Sequence, residues 1–365
     1  MKYKITAISA ICLLGLGFTQ LGNAGTSPAN QSNHAIEVKK SKFVQSHTPG
    51  DFVLETSDDV WPWGMAPIYD EDGKLHIFNS IIPHKGTWKK NSKIVHWVAD
   101  SIEGPFTLRG DLFSSQIACY HNPQVAKVGD TYVLVYMLVD IENKKTKDCK
   151  LEVGIATAKS LYGPWTESPY NPVVPASGMM DGREITHASN PTFVEDPGGK
   201  YRIYYKSRTR LPSGEESYRE YSFAVSDHLE GPYVNYEGNP VLTYDEHEVD
   251  FEDGYAFYYN GAYYMILEDR LGVVDLLEGK KISKSDVKAG GHRPGIIYKS
   301  EDGIDWGIPM IGYLTNTDYF GGKAARCERP HILWKDGKPE YLFISSHVRT
   351  SVAGFYVKIN NWEGE

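Results

Sequence analysis

The sequence predicts an all-β fold built as a five-bladed β-propeller, and three observations carry that expectation. One phrase, a Pro- or Gly-marked strand followed by a Gly turn and an aromatic strand, occurs five times along the chain. A second phrase, running from a Ser to Gly-Pro-aromatic or a close variant, follows four of those copies. No run of useful length carries the 3.6-residue apolar period of an amphipathic helix.

The first phrase runs Ala66-Pro67-Ile68-Tyr69 to Asp72-Gly73-Lys74, then His121-Asn122-Pro123-Gln124-Val125 to Gly129-Asp130-Thr131-Tyr132, then Ser189-Asn190-Pro191-Thr192-Phe193 to Gly199-Lys200-Tyr201. It returns as Glu252-Asp253-Gly254-Tyr255-Ala256 before Asn260-Gly261-Ala262-Tyr263, and as Glu328-Arg329-Pro330-His331-Ile332 before Asp336-Gly337-Lys338. The second phrase closes units at Gly104-Pro105-Phe106, Gly163-Pro164-Trp165, Gly231-Pro232-Tyr233 and Gly303 through Trp306. An Asp-Gly or Asn-Gly pair between apolar runs is a hairpin signal, because the tight turn needs positive φ, where Gly carries no steric penalty. Each unit therefore reads as a small antiparallel sheet, repeating at roughly 55 to 75 residues, a period that indicates stacked supersecondary units. Sheets of this size bury their faces only against one another, and radial packing about an axis does so while leaving short edges.

Composition narrows the function. The 365 residues are 41% hydrophobic and 23% charged, which excludes a disordered or collagen-like chain. A net charge of −9, or −11 once Lys2 and Lys4 leave with a cleaved leader, is the opposite of what a nucleic-acid binder carries. Aromatics at 13%, including 25 Tyr and 8 Trp, exceed what a core alone needs and point to an aromatic-lined cleft.

Lys2 and Lys4 before the apolar run Ile8 to Phe18, with small residues at Gly22-Asn23-Ala24, read as a secretory leader over residues 1–24. A polar segment, 25–50, is expected to be a flexible tether, and the propeller to fill 51–365. The mature protein is expected to be secreted or periplasmic, with no membrane anchor after leader cleavage. Once Cys12 leaves, Cys119, Cys149 and Cys327 remain, and an odd number cannot all pair within one chain. A Cys119–Cys149 bridge would suit an exported protein, although a fold of this size does not depend on it.

In a propeller the innermost strands converge on the axis, so the residues just before each recurring Pro or Gly face one cavity. Those positions hold Met65 and Ala66, His121 and Asn122, Ser189 and Asn190, Glu252 and Asp253, Glu328 and Arg329. Most are polar where a purely structural strand would be apolar. Cleaving a glycosidic bond needs a proton donor and a base or nucleophile, usually two carboxyl groups, and blades four and five supply Asp253 and Glu328. Arg329 beside Glu328 favours an ionised carboxylate there. Substrate-binding candidates are Arg329, Asn122, Asn190, Glu252 and His331; Arg326, His347 and Arg349 are further basic groups able to hold a carboxylate or sulfate. Trp61 and Trp63 place two indoles at the channel mouth, where sugar rings stack, with one of the two expected to touch substrate.

These inner-strand phrases, the closures such as Glu103-Gly104-Pro105-Phe106 and the final Glu328-Arg329-Pro330 resemble the five-bladed propeller glycoside hydrolases related to families 43 and 117, over about residues 51 to 365. The resemblance implies an Asp on the first blade as general base, an acidic residue on a later blade that sets pKa, and a Glu or His as proton donor. Asp253 and Glu328 match acidic positions. The first-blade Asp-Pro of that pattern is Ala66-Pro67 here, and Asp58 and Asp59 upstream are the nearest carboxylates.

The leading expectation is an exported enzyme that hydrolyses an oligosaccharide, an anionic one from algal or plant cell wall, through Glu328 and Asp253, with His121 as proton donor or positioning group. A second reading is β-elimination on a uronic-acid oligosaccharide, with His121 or a Tyr as base and Arg329 stabilising the enolate. A third is a non-catalytic sugar-binding propeller. No cofactor that performs chemistry is expected and no zinc-ligand spacing is present; crowded carboxylates in such a channel suit a structural calcium ion.

Overall fold

The hairpin signals form as turns, with Asn260-Gly261 and Asp336-Gly337 at positive φ through both residues, as a type I′ turn requires. The computed structural model describes residues 35–141, 149–281, 292–322, 325–348 and 351–365. The expected leader and the start of the tether lie outside the described residues.

The strands form five antiparallel sheets. Blade one is Val60–Tyr69, Leu75–Pro83, Lys93–Ala99 and Thr107–Asp111; blade two is Ala118–Val128, Thr131–Asp140, Leu151–Ala158 and Thr166–Glu167. Blade three is Arg183–Glu195, Tyr201–Thr209, Glu220–Ser226 and Val234–Asn235, with Met179–Met180 paired against the start of its first strand. Blade four is Glu252–Tyr259, Ala262–Glu268, Gly295–Ser300 and Met310–Tyr313. The first strands of successive blades touch one another in a closed circuit, from blade one round to blade five and back. The fold is the expected five-bladed β-propeller.

Blade five corrects the expected boundary of the N-terminal segment. Its chain-order strands are Arg326–Lys335, Lys338–Val348 and Ser351–Ile359, and its outermost strand is His47–Val53, paired from His47 opposite Ile359 to Val53 opposite Gly354. Described residues of the expected tether are therefore part of the propeller. The short helix Lys42–Gln45, capped by Ser41, buries Phe43 completely against Trp362, ring centroids 5.0 Å apart. The physical reason is closure: a ring of sheets has a seam, and lending the last blade a strand from the other end of the chain ties that seam with backbone hydrogen bonds.

The core is the set of interfaces between blades. Tyr204 and Phe223 of blade three pack with Met265 and Tyr298 of blade four, while Ile266 and Ile297 pack with Leu342 and Phe355 of blade five. The Gly-Pro phrases lie between the third and fourth strands of blades one to three, inside the units. Cys119, Cys149 and Cys327 form no disulfide; Cys119 is buried and donates to the Lys89 carbonyl. Because Phe43 fills a closed pocket at the seam, Phe43→Ala should cost about 3–5 kcal/mol. A lower urea midpoint without a change in slope would report it.

Candidate functional site

The recurring Pro or Gly marks a bulge. In blade two His121 faces Met137 and Gln124 faces Val135, so the pair Asn122-Pro123 is extruded from the ladder. Register shifts of the same kind extrude Asn190-Pro191, Asp253-Gly254 and Arg329-Pro330. In blade one Trp63 faces Ser80 and Ala66 faces Phe78, so the extruded pair is Gly64-Met65. The first residue of each pair has positive φ: Gly64 64°, Asn122 51°, Asn190 49°, Asp253 56° and Arg329 54°. Gly, Asn and Asp are the residues that accept this region most readily, and Arg329 is the one that does not, so packing must hold it there.

The repeat in blade one is thus displaced by two residues from the expected alignment. Met65 and Ala66 are buried in the core, and the position matching Asn122 is Gly64. A side chain at Gly64 would meet Asn122 Oδ1 at 3.3 Å and Arg329 Nε at 3.5 Å. Blade one therefore brings no carboxylate to its bulge, and Gly64 lies against Asn122 and Arg329 there. Asp58 and Asp59 are exposed on the preceding loop and do not line the cavity.

The other four bulge side chains are joined across the axis. Asn122 Nδ2 donates to Asn190 Oδ1 at 2.9 Å, and Asn190 Nδ2 donates to Asp253 Oδ1 at 2.5 Å. Arg329 Nη1 lies 3.8 Å from Asp253 Oδ1, and its Nη2 donates to the Asn122 carbonyl at 3.4 Å. Arg329 is 1% exposed and Asp253 4%. This belt forms the floor of a cavity of about 650 Å³, within the range of small-molecule sites.

Trp61, Trp63 and Trp88 give the cavity an aromatic wall, and His121, Lys206, Glu252, Arg270, Arg326 and Glu328 give it polar ones. His121 stacks on Trp88, ring centroids 5.3 Å apart, and its Nδ1 shares a 2.7 Å hydrogen bond with Ser92 Oγ. Burial, with Arg329 and Lys206 nearby, lowers the His121 imidazole to about 3. That direction favours the neutral imidazole and, of the two roles expected for His121, suits positioning better than proton donation.

The carboxyl groups are pushed apart. Burial raises Glu252, but Lys206, Arg219 and Arg270 outweigh it and hold its carboxyl far below the usual range. Burial raises Asp253, opposed by Arg329. Glu328 is in contact with Arg326. Glu268, on the second strand of blade four opposite Glu252, is raised by burial to about 8, with Arg326 opposing and Glu252 and Asp253 adding to the rise. Asp253, Glu268 and Glu328 bring one oxygen each within 4.8 Å of one another. Arg326 sits among them, 3.6 Å from Glu268, so positive charge at this cluster already comes from the protein itself.

Of the residues expected from sequence, Glu328, Asp253, His121, Asn122, Asn190, Glu252, Trp61 and Trp63 meet in the one cavity, and both indoles line it. Two do not. Arg329 lies beneath the floor, turned inward to Asp253, and offers no free guanidinium to a substrate. His331 is buried behind it, its Nδ1 at the Arg329 carbonyl and its ring against Tyr255, because alternation past the bulge turns it into the core. Arg326 reaches the cavity; His347 and Arg349 lie outside what the structure describes of side chains. Sequence reasoning missed Trp88, Lys206, Arg270 and Glu268. The triplet Glu268-Asp269-Arg270 after the apolar run Tyr263 to Leu267 is the signal that was there to be read.

No family model matches the chain. A xylan 1,3-β-xylosidase of a Vibrio species is 24% identical over 160 residues, 42% of this chain and 28% of that protein's length, so the chain spans well under a third of this relative. Solved structures match much more of the chain. A family 117 glycoside hydrolase of Zobellia galactanivorans superposes with a TM-score of 0.56 at 15% identity, covering 90% of both chains. The fold is that of the five-bladed propeller glycoside hydrolases. A thermostable family 43 glycoside hydrolase gives 0.54 at 13% identity, covering 85% of this chain and 96% of its own. The Bombyx mori family 32 β-fructofuranosidase gives 0.57 at 12% identity, covering 88% of this chain and 58% of its own.

Within this propeller, Arg329 and Asp253 are a fully buried pair. Arg329→Met removes one partner of that pair and its contact with the Asn122 carbonyl, and the expected loss is about 3–5 kcal/mol. Urea denaturation measures it; a variant as stable as the wild type would show that the belt does not hold the blades together.

Proposed function

We propose that this chain hydrolyses a glycosidic bond of an anionic oligosaccharide bound in the axial cavity. The observation that carries the reading is a set of cavity carboxyl groups with opposed tendencies, facing an aromatic wall. Glu328, in contact with the Arg326 guanidinium, serves as base, while Asp253, raised by burial, carries the proton for the leaving oxygen. Carboxyl groups driven apart in this way are how one site runs acid and base chemistry together. A sugar ring stacks on the Trp61 and Trp63 faces, neutral His121 orients a hydroxyl, and water is displaced from the floor.

The anionic character of the substrate rests on the cations. Lys206, Arg270 and Arg326 all line the cavity, and Arg270 Nη1 lacks a hydrogen-bond partner. A carboxylate or sulfate on the sugar answers those donors. Export by the leader would place this reaction in the periplasm or outside the cell, where cell-wall polysaccharide fragments are met. Elimination fits less well, because Arg329, its intended enolate stabiliser, is sealed under the floor.

Incubation with a panel of anionic algal and plant oligosaccharides should give products heavier by one water per bond broken. Glu328→Gln should lower kcat by about 10²–10⁴-fold while oligosaccharide binding persists. Unsaturated products absorbing in the ultraviolet would replace hydrolysis with elimination, and binding without any mass change would reduce the site to a sugar receptor.

A further inference from the structure

Glu268 is a buried carboxyl group beside the cavity to which the proposed reaction assigns no role. It is 3% exposed, and neither Oε1 nor Oε2 has a hydrogen-bond partner. It does not line the cavity, but it stands directly behind the carboxyl groups that do.

Each of its acidic neighbours has a cation of its own. Glu252 has Lys206, Arg219 and Arg270; Glu328 has Arg326; Asp253 has Arg329. Glu268 has no cation to itself: Arg326, engaged by Glu328, stands 3.6 Å away, and Arg270 and Arg219, both directed to Glu252, act on it from further off. From the remaining sides it faces Tyr313 and Cys327, neither of which supplies positive charge. Three carboxyl groups whose oxygens lie within 4.8 Å of one another repel when all are ionised, and burial adds to that cost. Glu268, with no hydrogen bond and a cation contact it shares with Glu328, is the one that most resists losing its proton.

We infer that Glu268 is a positioning residue that remains a neutral carboxylic acid and donates its O–H to the Glu328 carboxylate beside it. Donation to Glu328 favours the ionised form of that group and holds its oxygens toward the cavity. Donation also gives one of the two orphaned oxygens a partner, since the acid pairs with a neighbour where the carboxylate would be repelled. The rise of its pKa to about 8 agrees with the geometry. This role rests on the proposed hydrolysis for its catalytic consequence, whereas the protonation itself does not.

Infrared difference spectroscopy of the full chain without substrate separates the two. The C=O stretch of a protonated carboxyl should be present at neutral pH, titrate with a midpoint near 8, and vanish in Glu268→Gln. If the band is absent from the wild type, or survives unchanged in the variant, the inference is overturned whatever the enzyme does. If the band behaves as expected while no oligosaccharide is cleaved, the inference stands and the hydrolytic reading fails.

Stability gives a second measurement. A carboxyl whose folded pKa lies above its unfolded value of 4.5 stabilises the fold fully below 4.5, and that stabilisation is lost as pH rises toward 8. The wild-type urea midpoint should therefore fall across that window more than that of Glu268→Gln. In turnover, Glu268→Leu removes the donor to a charged acceptor and should lower kcat by roughly ten- to a hundred-fold with KM little changed. Glu268→Gln, whose amide still donates, should recover part of that loss and lack the decline above pH 8. Equal kcat losses in the two variants, with identical pH profiles, would overturn the positioning role.

Discussion

A guanidinium buried to 1% exposure must find its charge and hydrogen-bond partners inside the protein, and that need organises the centre of this propeller. Arg329 reaches across the axis from blade five to Asp253 on blade four and to the Asn122 carbonyl on blade two. Asn122, Asn190 and Asp253 carry the connection through three blades. Blade one contributes a glycine, because any side chain at Gly64 would press on Asn122 and Arg329. The five blades are thus joined at the axis by polar contacts that replace the hydrophobic packing found between their faces.

The same belt makes the cavity floor, so structure and chemistry share residues. Asp253 faces the cavity and the belt together. Above it the charges are sorted by proximity: Glu252 is held ionised by three cations, Glu328 touches Arg326, and Glu268 has the most distant cation contact of the three. Opposite them the walls are aromatic and neutral, with His121 kept uncharged by burial against Trp88. A ligand with sugar faces and an acidic substituent meets both kinds of wall.

Closure of the ring follows a separate rule. The strand His47–Val53 completes the last blade, and Phe43 locks the segment before it against Trp362. The polar composition around this segment reads as a linker because an outermost strand exposes most of its residues; the burial pattern of His47–Val53 is chiefly exposed or intermediate. Pairing with Ser351–Ile359, over three hundred residues away in sequence, is what makes it a strand.

The sequence by itself determined the repeat, and with it the number of blades, the turns and the polar character of the axis, because positive φ and hairpin geometry impose local demands that Gly, Asn, Asp and Pro meet visibly. It also named most of the residues that meet in the cavity. Only the tertiary structure decided which residue of blade one occupies the bulge, since a shift of two residues keeps the same strand face and leaves no trace in the alternation. It alone turned Arg329 and His331 inward and brought Lys206, Arg270 and Glu268 from second strands and loops up to the first. Protonation was decided there too: a carboxyl or imidazole takes its charge from the distance to its neighbours and from the exclusion of water, and neither is written along the chain.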